Sequence, residues 1–439
     1  MCKVIFHFRV ERLVFFTLFI ISGCVPVEST VSSSGTTVAK RLVYDNYIYD
    51  PNVKTVKLYR YLNSYDDQIQ PAAYPIQSDY RLILEFDKLR SDYENLYAKV
   101  VHCQFDWSPS QLRDQEFLSV YNEFPISDYE YSRATRIPYT HYTIDLPKVK
   151  IPGNYLVKVY RDGKESDLML SRRFMVYNNR VQLEADVGLS SGIAQRNYNQ
   201  QVNFSIGYGN LSISNALEEV KVVVRQNKRW DNALQLQPTF VKVSQKLLEY
   251  KYFNLENNFL AGNEFRFFDL RTINSLGQNI GAVDKKDDRI DAFVLKDRGR
   301  ATEAYGSYND INGEYVIRSL ETDPVHITGE YVFTHFFLIS EKQLPQDVHI
   351  IGALTDWQLH QDSKMTFDPE LGGYTGTLLI KQGWYNYIYY VRNNENPYSF
   401  EGNNYEAENQ YEILVYHRPI GGLADMLIGY FSLYYNQRP

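Results

Sequence analysis

From Arg41 onward the apolar residues of this 439-residue sequence alternate or run over five to nine positions between turn residues, and no helix of ordinary length interrupts them. Period-two patterning of this kind puts successive side chains on opposite faces of a pleated strand, so it predicts β-structure throughout. VKTVKLYRY, YRLILEFDKL, YTHYTIDLP, GNYLVKVYRDG and RRFMVYN show it first, punctuated by Pro109, Pro147, Gly153 and Asp162-Gly163. The composition agrees: 38 Tyr and 24 Phe favour half-buried strands, where a tyrosine ring packs and its hydroxyl keeps a polar contact.

A chain of this length exceeds one hydrophobic core. About six strands precede Tyr177. A second set (QVNFSIGYG, EEVKVVVRQN, KLLEYKYFN, EFRFFDLRT, IDAFVLKD, GEYVIRSL) follows Val181, and a third opens at Glu330 with YVFTHFFLIS and ends with YEILVYHRP. The expectation is an all-β chain of three Ig-like β-sandwiches in series, at 41–178, 179–328 and 329–439. Short helices are expected at DYENLYAKV and PSQLRDQEFLSVY, the second with Asp114 and Glu116 in its first turn. Asp284 to Asp291 carries carboxylates without the glycine-centred spacing of a calcium loop and reads as a solvated hairpin tip.

Residues 1–12 carry Lys3, Arg9 and Arg12, and Leu13 to Ile21 are apolar except for Thr17. Nine residues are too few to cross a bilayer, which needs about 20, but they suit the central region of a secretory signal. Ile21-Ser22-Gly23-Cys24 resembles a bacterial lipobox. Residues 1–23 are therefore expected to be removed, Cys24 to carry lipid, and 24–40, small and polar, to act as a tether. Processing would leave Cys103 without a partner, and its setting in VVHCQFDW predicts a buried, inert thiol.

The eight histidines are scattered, with no HExxH or HxH, and no GxSxG, phosphate-binding loop or GxGxxG occurs, so neither catalysis, a metal nor a cofactor is expected. The formal charge of −7, with no Lys/Arg run longer than a pair, argues against nucleic acid. The densest unusual stretch follows the strand VKVVV. There Arg229, Trp230 and Asp231 can form a structural corner, with the guanidinium on the ring and bound to the carboxylate, or anchor a partner, since Trp and Arg dominate interface hot spots. Trp107, ending a strand, reads as core.

Five segments, spread over most of the chain in a fixed order, resemble the plug proteins of the type IX secretion system: His102 to Ser110, Gln226 to Ala233, Gly262 to Asp269, Asp310 to Tyr315 and Glu406 to Tyr411. That resemblance implies a non-catalytic periplasmic protein that docks on a giant outer-membrane β-barrel translocon and closes its opening when no cargo is present. It implies a single copy within a larger complex, here held at the inner face of the outer membrane through Cys24. Gly421 to Ala424 depart from the basic and aromatic sequence expected before Asp425. Separately, Ile350-Ile351-Gly352-Ala353-Leu354-Thr355-Asp356-Trp357, with Gly372-Gly373-Tyr374 and Gly383-Trp384-Tyr385-Asn386-Tyr387, resembles the early-set sandwich of carbohydrate-binding family 48. The alternative it raises is a glycan-binding lipoprotein with Trp384 as a sugar platform. Arg392 to Tyr398 lacks the further Trp such binding needs, so the stretch reads as scaffold, with Trp357 packed at its turn.

Overall fold

The alternation seen in the sequence closes into three sandwiches in a computed structural model that describes residues 40–90, 92–393 and 395–437. In the first, Val53–Tyr61, Arg81–Leu89, Tyr139–Asp145 and Asp128–Tyr131 form one sheet. Its partner sheet is built on Leu96–Cys103, Gly153–Arg161 and Leu168–Tyr177. Leu84 and Phe86 from one sheet meet Val157, Val159 and Phe174 from the other in a single core. Residues 92–95 form no helix: Leu96, Ala98 and Val100 point inward at every second position, and burying them commits DYENLYAKV to a strand. Of PSQLRDQEFLSVY only Asp114–Phe117 is helical, one turn whose Glu116 carboxylate accepts the Arg113 N–H at 2.7 Å.

The second and third sandwiches are not in series. The second is opened by Gln182–Leu189, Asn199–Gly207 and Val220–Gln226 and closed by the last two strands of the chain. Asn409–His417 pairs antiparallel with Val220–Gln226 along its whole length, and Met426–Tyr435 pairs with Asn409–His417. Ile413 and Val415 accordingly share a core with Val222, Val224 and Phe204. The third begins at Arg266–Asp269, which pairs with Gly383–Val391, and takes in Ile290–Val294, which runs parallel to Tyr331–Ile339. Phe268, Ile290 and Ile317 pack with Phe336, Tyr385 and Tyr389. The division expected at residue 328 is therefore displaced. Strands on both sides of it share the third core, whereas 409–435, expected in the C-terminal sandwich, completes the middle one. Local patterning carries no record of which strands pair across more than 180 residues.

Asp284 to Asp291 does turn a hairpin, between Ile280–Lys285 and Ile290–Val294. Asp291, however, is buried, where Lys286, Arg289 and the His335 ring approach it at 3.1, 2.9 and 2.9 Å. Cys103 is a buried free thiol, and burial pushes its pKa up to about 12, as an inert cysteine requires.

His102 packs edge-on against Tyr155 at 4.9 Å inside the first sandwich, and burial lowers its pKa to about 4. Below pH 6.5 the unfolded chain takes up a proton that the folded one refuses, so stability present above that pH is lost as pH falls toward 4. The full loss is roughly 3 kcal/mol. His102→Leu is expected to flatten this part of the acid limb in urea titrations at pH 7 and pH 4.5. An unchanged difference between the two pH values would remove His102 as its cause.

From residue 40 onward the three sandwiches form one compact unit. Two small apolar clusters join them: Trp107, Leu156 and Met175 meet Val223, Leu414 and Tyr416 between the first and middle cores, and Phe265, Ile351 and Ile388 meet Tyr398 beside the third.

Candidate functional site: the junction of the three sandwiches

The five segments singled out in the sequence converge where the sandwiches meet. Trp107 stands edge-on to Trp230 at 4.9 Å. The Asn227 amide donates to Asn409 Oδ1 at 2.7 Å, and Lys228 reaches Glu314 at 3.3 Å. Phe265 stands edge-on to Trp357, and the Asp310 carboxylate accepts the Phe265 backbone N–H. Burial raises the Asp310 pKa to about 7, against the backbone N–H groups of Asn312 and Phe265 that favour its charge.

Arg229, Trp230 and Asp231 sit in this junction with distinct surroundings. Arg229 is buried. Its Nε and Nη2 donate to the two Asp231 oxygens at 3.0 and 2.6 Å, its Nη1 donates to the Tyr398 hydroxyl at 2.8 Å, and its plane lies 4.3 Å from the Trp357 ring centroid. Burial works against the charge, but Tyr398 and Asp231 outweigh it and raise the pKa. Trp230 is half-buried, with Arg225 4.3 Å and Arg173 5.4 Å from its ring centroid. Only Asp231 is exposed. A bidentate guanidinium clamped between two cores is built to hold geometry, since its fork fixes both distance and plane.

The first and third sandwiches are joined by a second polar cluster. Asp87 and Lys381 form an ion pair at 2.7 Å, each side chain only 1% exposed. Asp87 also accepts from the Tyr331 hydroxyl at 2.7 Å, and its other oxygen lies 2.7 Å from His141 Nδ1. Burial alone would raise the Asp87 pKa; Lys381 and His141 overcome it and hold the carboxylate below its ordinary range. Arg136 adds a bond to Glu330 at 2.8 Å, and Tyr139 donates to the Gly329 carbonyl at 3.0 Å. No local signal in the sequence marks Asp87 or Lys381: each stands in a strand where a charged residue reads as solvent-facing, and only the third sandwich lying on that sheet buries it.

The Gly421 to Ala424 segment leads into contacts of its own. Asp425 binds Arg418 and accepts the Phe105 N–H at 3.0 Å, and its own N–H donates to Gln104 at 2.9 Å, fixing the turn before the last strand to the first sandwich.

Trp384 is half-buried. It stacks flat on Phe267 at 4.7 Å, and the Arg271 guanidinium lies 5.2 Å from its centroid, so both groups compete for the ring surface a sugar would use. Among the described residues no three His, Cys, Asp or Glu side chains gather as a metal would need, and no helix is long and apolar enough to cross a membrane. Cys24 and the tether lie outside the described residues.

Residues 53–178 match the family model for the type 9 secretion system plug protein 1st domain. No curated protein matches the chain. Among solved structures, the crystal structure of a hypothetical protein from Parabacteroides merdae superposes with a TM-score of 0.83 at 27% identity, covering 90% of this chain and 100% of that one. The arrangement of sandwiches is thus shared well beyond the span of the family model.

Proposed function

We propose that this chain, which belongs to the plug family of the type 9 secretion system through residues 53–178, is a periplasmic stopper that docks on the translocon barrel and closes its opening when no cargo is present. The observation that carries this reading is the fusion of three sandwiches into one unit by buried polar clamps, Asp87–Lys381 and Arg229–Asp231–Tyr398. A wide barrel has an aqueous lumen unless something fills it. A stopper must keep its shape against that opening, whereas sandwiches joined by ordinary interdomain contacts would move relative to one another.

Docking needs an exposed adhesive surface, and the middle sandwich offers one. Ile193 and Phe253 are 89% and 88% exposed at the tips of two neighbouring loops. Gln201 holds those loops together, accepting the Ser191 N–H at 2.7 Å and donating to the Tyr252 carbonyl at 2.8 Å. Tyr198, which closes the loop that carries Ile193, is 54% exposed. Apolar side chains this exposed on ordered loops favour a contact surface.

A C-terminally tagged chain isolated in mild detergent is expected to bring down a very large outer-membrane barrel. The pair Ile193→Asp and Phe253→Asp is expected to abolish that capture while leaving the urea stability within about 0.5 kcal/mol, the usual range for surface changes. Absence of any barrel with the unsubstituted chain would sink the plug reading. Capture by the double variant would sink only the surface assignment. Cys24→Ala, run in parallel, separates membrane anchorage from docking.

A further inference from the structure

Between Tyr177 and Gln182 the chain crosses from one sheet of the middle sandwich to the other. Asn178 and Arg180 donate backbone N–H groups to the Leu427 and Ile428 carbonyls at 3.0 and 2.8 Å. The Asn179 side chain binds both backbone groups of Tyr430, accepting its N–H at 2.8 Å and donating to its carbonyl at 3.3 Å. Val181 then enters the core, and Gln182–Leu189 pairs with Asn199–Gly207 in the opposite sheet. Met426–Tyr435 therefore ends its sheet with its outer side covered only as far as Tyr430.

Strand register shows what the uncovered part presents. Opposed residues of an antiparallel pair alternate between exchanging hydrogen bonds and turning both backbone groups away from the partner. Tyr430 turns its groups outward to Asn179, so Ser432 and Tyr434 turn theirs outward too. Gln410, opposite Tyr434, bonds through both its backbone groups to Asn227 on its other side, as this alternation requires. Among the described residues no group meets the Ser432 or Tyr434 backbone on the outer side. Both residues are exposed, and Phe431, Leu433 and Tyr435 between them are only half-buried against the core, as are Ala185 and Val187 of the facing strand. A row of unpaired N–H and C=O groups beside apolar side chains at every second residue is a template for another strand.

We infer that the Ser432 to Tyr434 edge takes a partner strand by backbone pairing, the occupant being an extended segment of the translocon barrel with apolar residues at alternate positions. This rests on the docking proposal and deepens it. The Asn436 amide donates to the Glu406 carbonyl at 3.0 Å, and the adjacent Tyr405 N–H donates to the Asn197 carbonyl at 3.1 Å, in the loop that carries Ile193. The open edge and the exposed loops thus share one end of the middle sandwich. Side chains on the loops supply apolar contact, while the edge supplies main-chain bonds that fix the direction and register of the docked segment. Residues 178–180 already cover the first half of the same edge, so a docked strand continues a pairing that the chain itself begins.

Amide hydrogen exchange of the full chain, alone and in the complex recovered through its tag, tests it. In the isolated chain the Ser432 and Tyr434 amides are expected to exchange fast, and those of Phe431 and Leu433, bonded to Asn409–His417, slowly. Capture of the barrel is expected to protect Ser432 and Tyr434. Ser432→Pro removes an outward N–H and no bond to the neighbouring strand, and is expected to weaken capture about tenfold, the effect of losing one hydrogen bond. Thermal melting reports whether that variant is folded; if it is not, exchange in the unsubstituted complex decides. A captured barrel with both amides still open, or undiminished capture by folded Ser432→Pro, overturns the strand pairing and leaves the docking proposal standing. No barrel recovered with the unsubstituted chain overturns both. Protection that appears in the isolated chain as its concentration rises makes the occupant a second copy and overturns the barrel segment.

Discussion

Replacing Lys381 by Met is expected to destabilise the folded chain by about 3–5 kcal/mol, because it leaves a buried carboxylate without its counter-charge. Asp87 keeps the Tyr331 hydroxyl and the His141 ring but loses the ammonium it is bonded to. The Lys381 ammonium also lies 4.1 Å from the Tyr139 ring centroid and donates to the His326 carbonyl at 2.7 Å, so the loss reports the ammonium with all of its contacts. Urea unfolding of wild type and Lys381→Met measures it. The sign with pH is also fixed. The Asp87 pKa is held low in the folded chain, so its contribution is present above the ordinary carboxylate pKa and is lost as pH falls through the folded value. The gap between wild type and variant should therefore close in acid; a gap that is constant with pH would refute the clamp.

Arg229→Ala is the second large effect, at about 2–4 kcal/mol, from an orphaned Tyr398 hydroxyl and an unfilled space over Trp357. Asp231 contributes less, because it is partly exposed and water replaces the guanidinium. Two roles for the segment are separable here. A structural clamp lowers the urea midpoint in the isolated chain; a partner anchor leaves the midpoint unchanged and lowers only capture of the barrel. The burial of Arg229 favours the first outcome, and an unchanged midpoint would assign the residue to the interface.

The strands were legible because each sandwich buries one face, and a buried face writes itself into the sequence every second residue, as at Leu82, Leu84 and Phe86. Trp107 is buried as expected, but in the turn beyond the strand, at a φ of 67° and against Trp230 of the middle sandwich, where strand alternation carries no information. What could not be read was partnership. Nothing in YEILVYHRP states that Tyr411 to His417 lie beside Val220 to Gln226 and not beside the strand just before them. The polar junctions were hidden differently. Asp87, Lys381, Arg225 and Glu412 look like ordinary solvent-facing charges, and become buried only through the approach of a second sheet. The Arg229–Trp230–Asp231 cluster was conspicuous through composition, yet composition alone could not assign it to a clamp or a contact.

The pairing of Asn409–His417 with Val220–Gln226 has a consequence for the order of assembly. The chain is made from its N-terminus, so the middle sandwich is begun some 180 residues before the strands that finish it exist. Until then Val222, Val224 and Phe204 lack the neighbours that cover them, while the third sandwich, whose own strands end at Val391, can already close. Losing the last thirty or so residues would not trim a terminal module; it would open the centre of the molecule, and the exposed loops at Ile193 and Phe253 would lose the body that presents them.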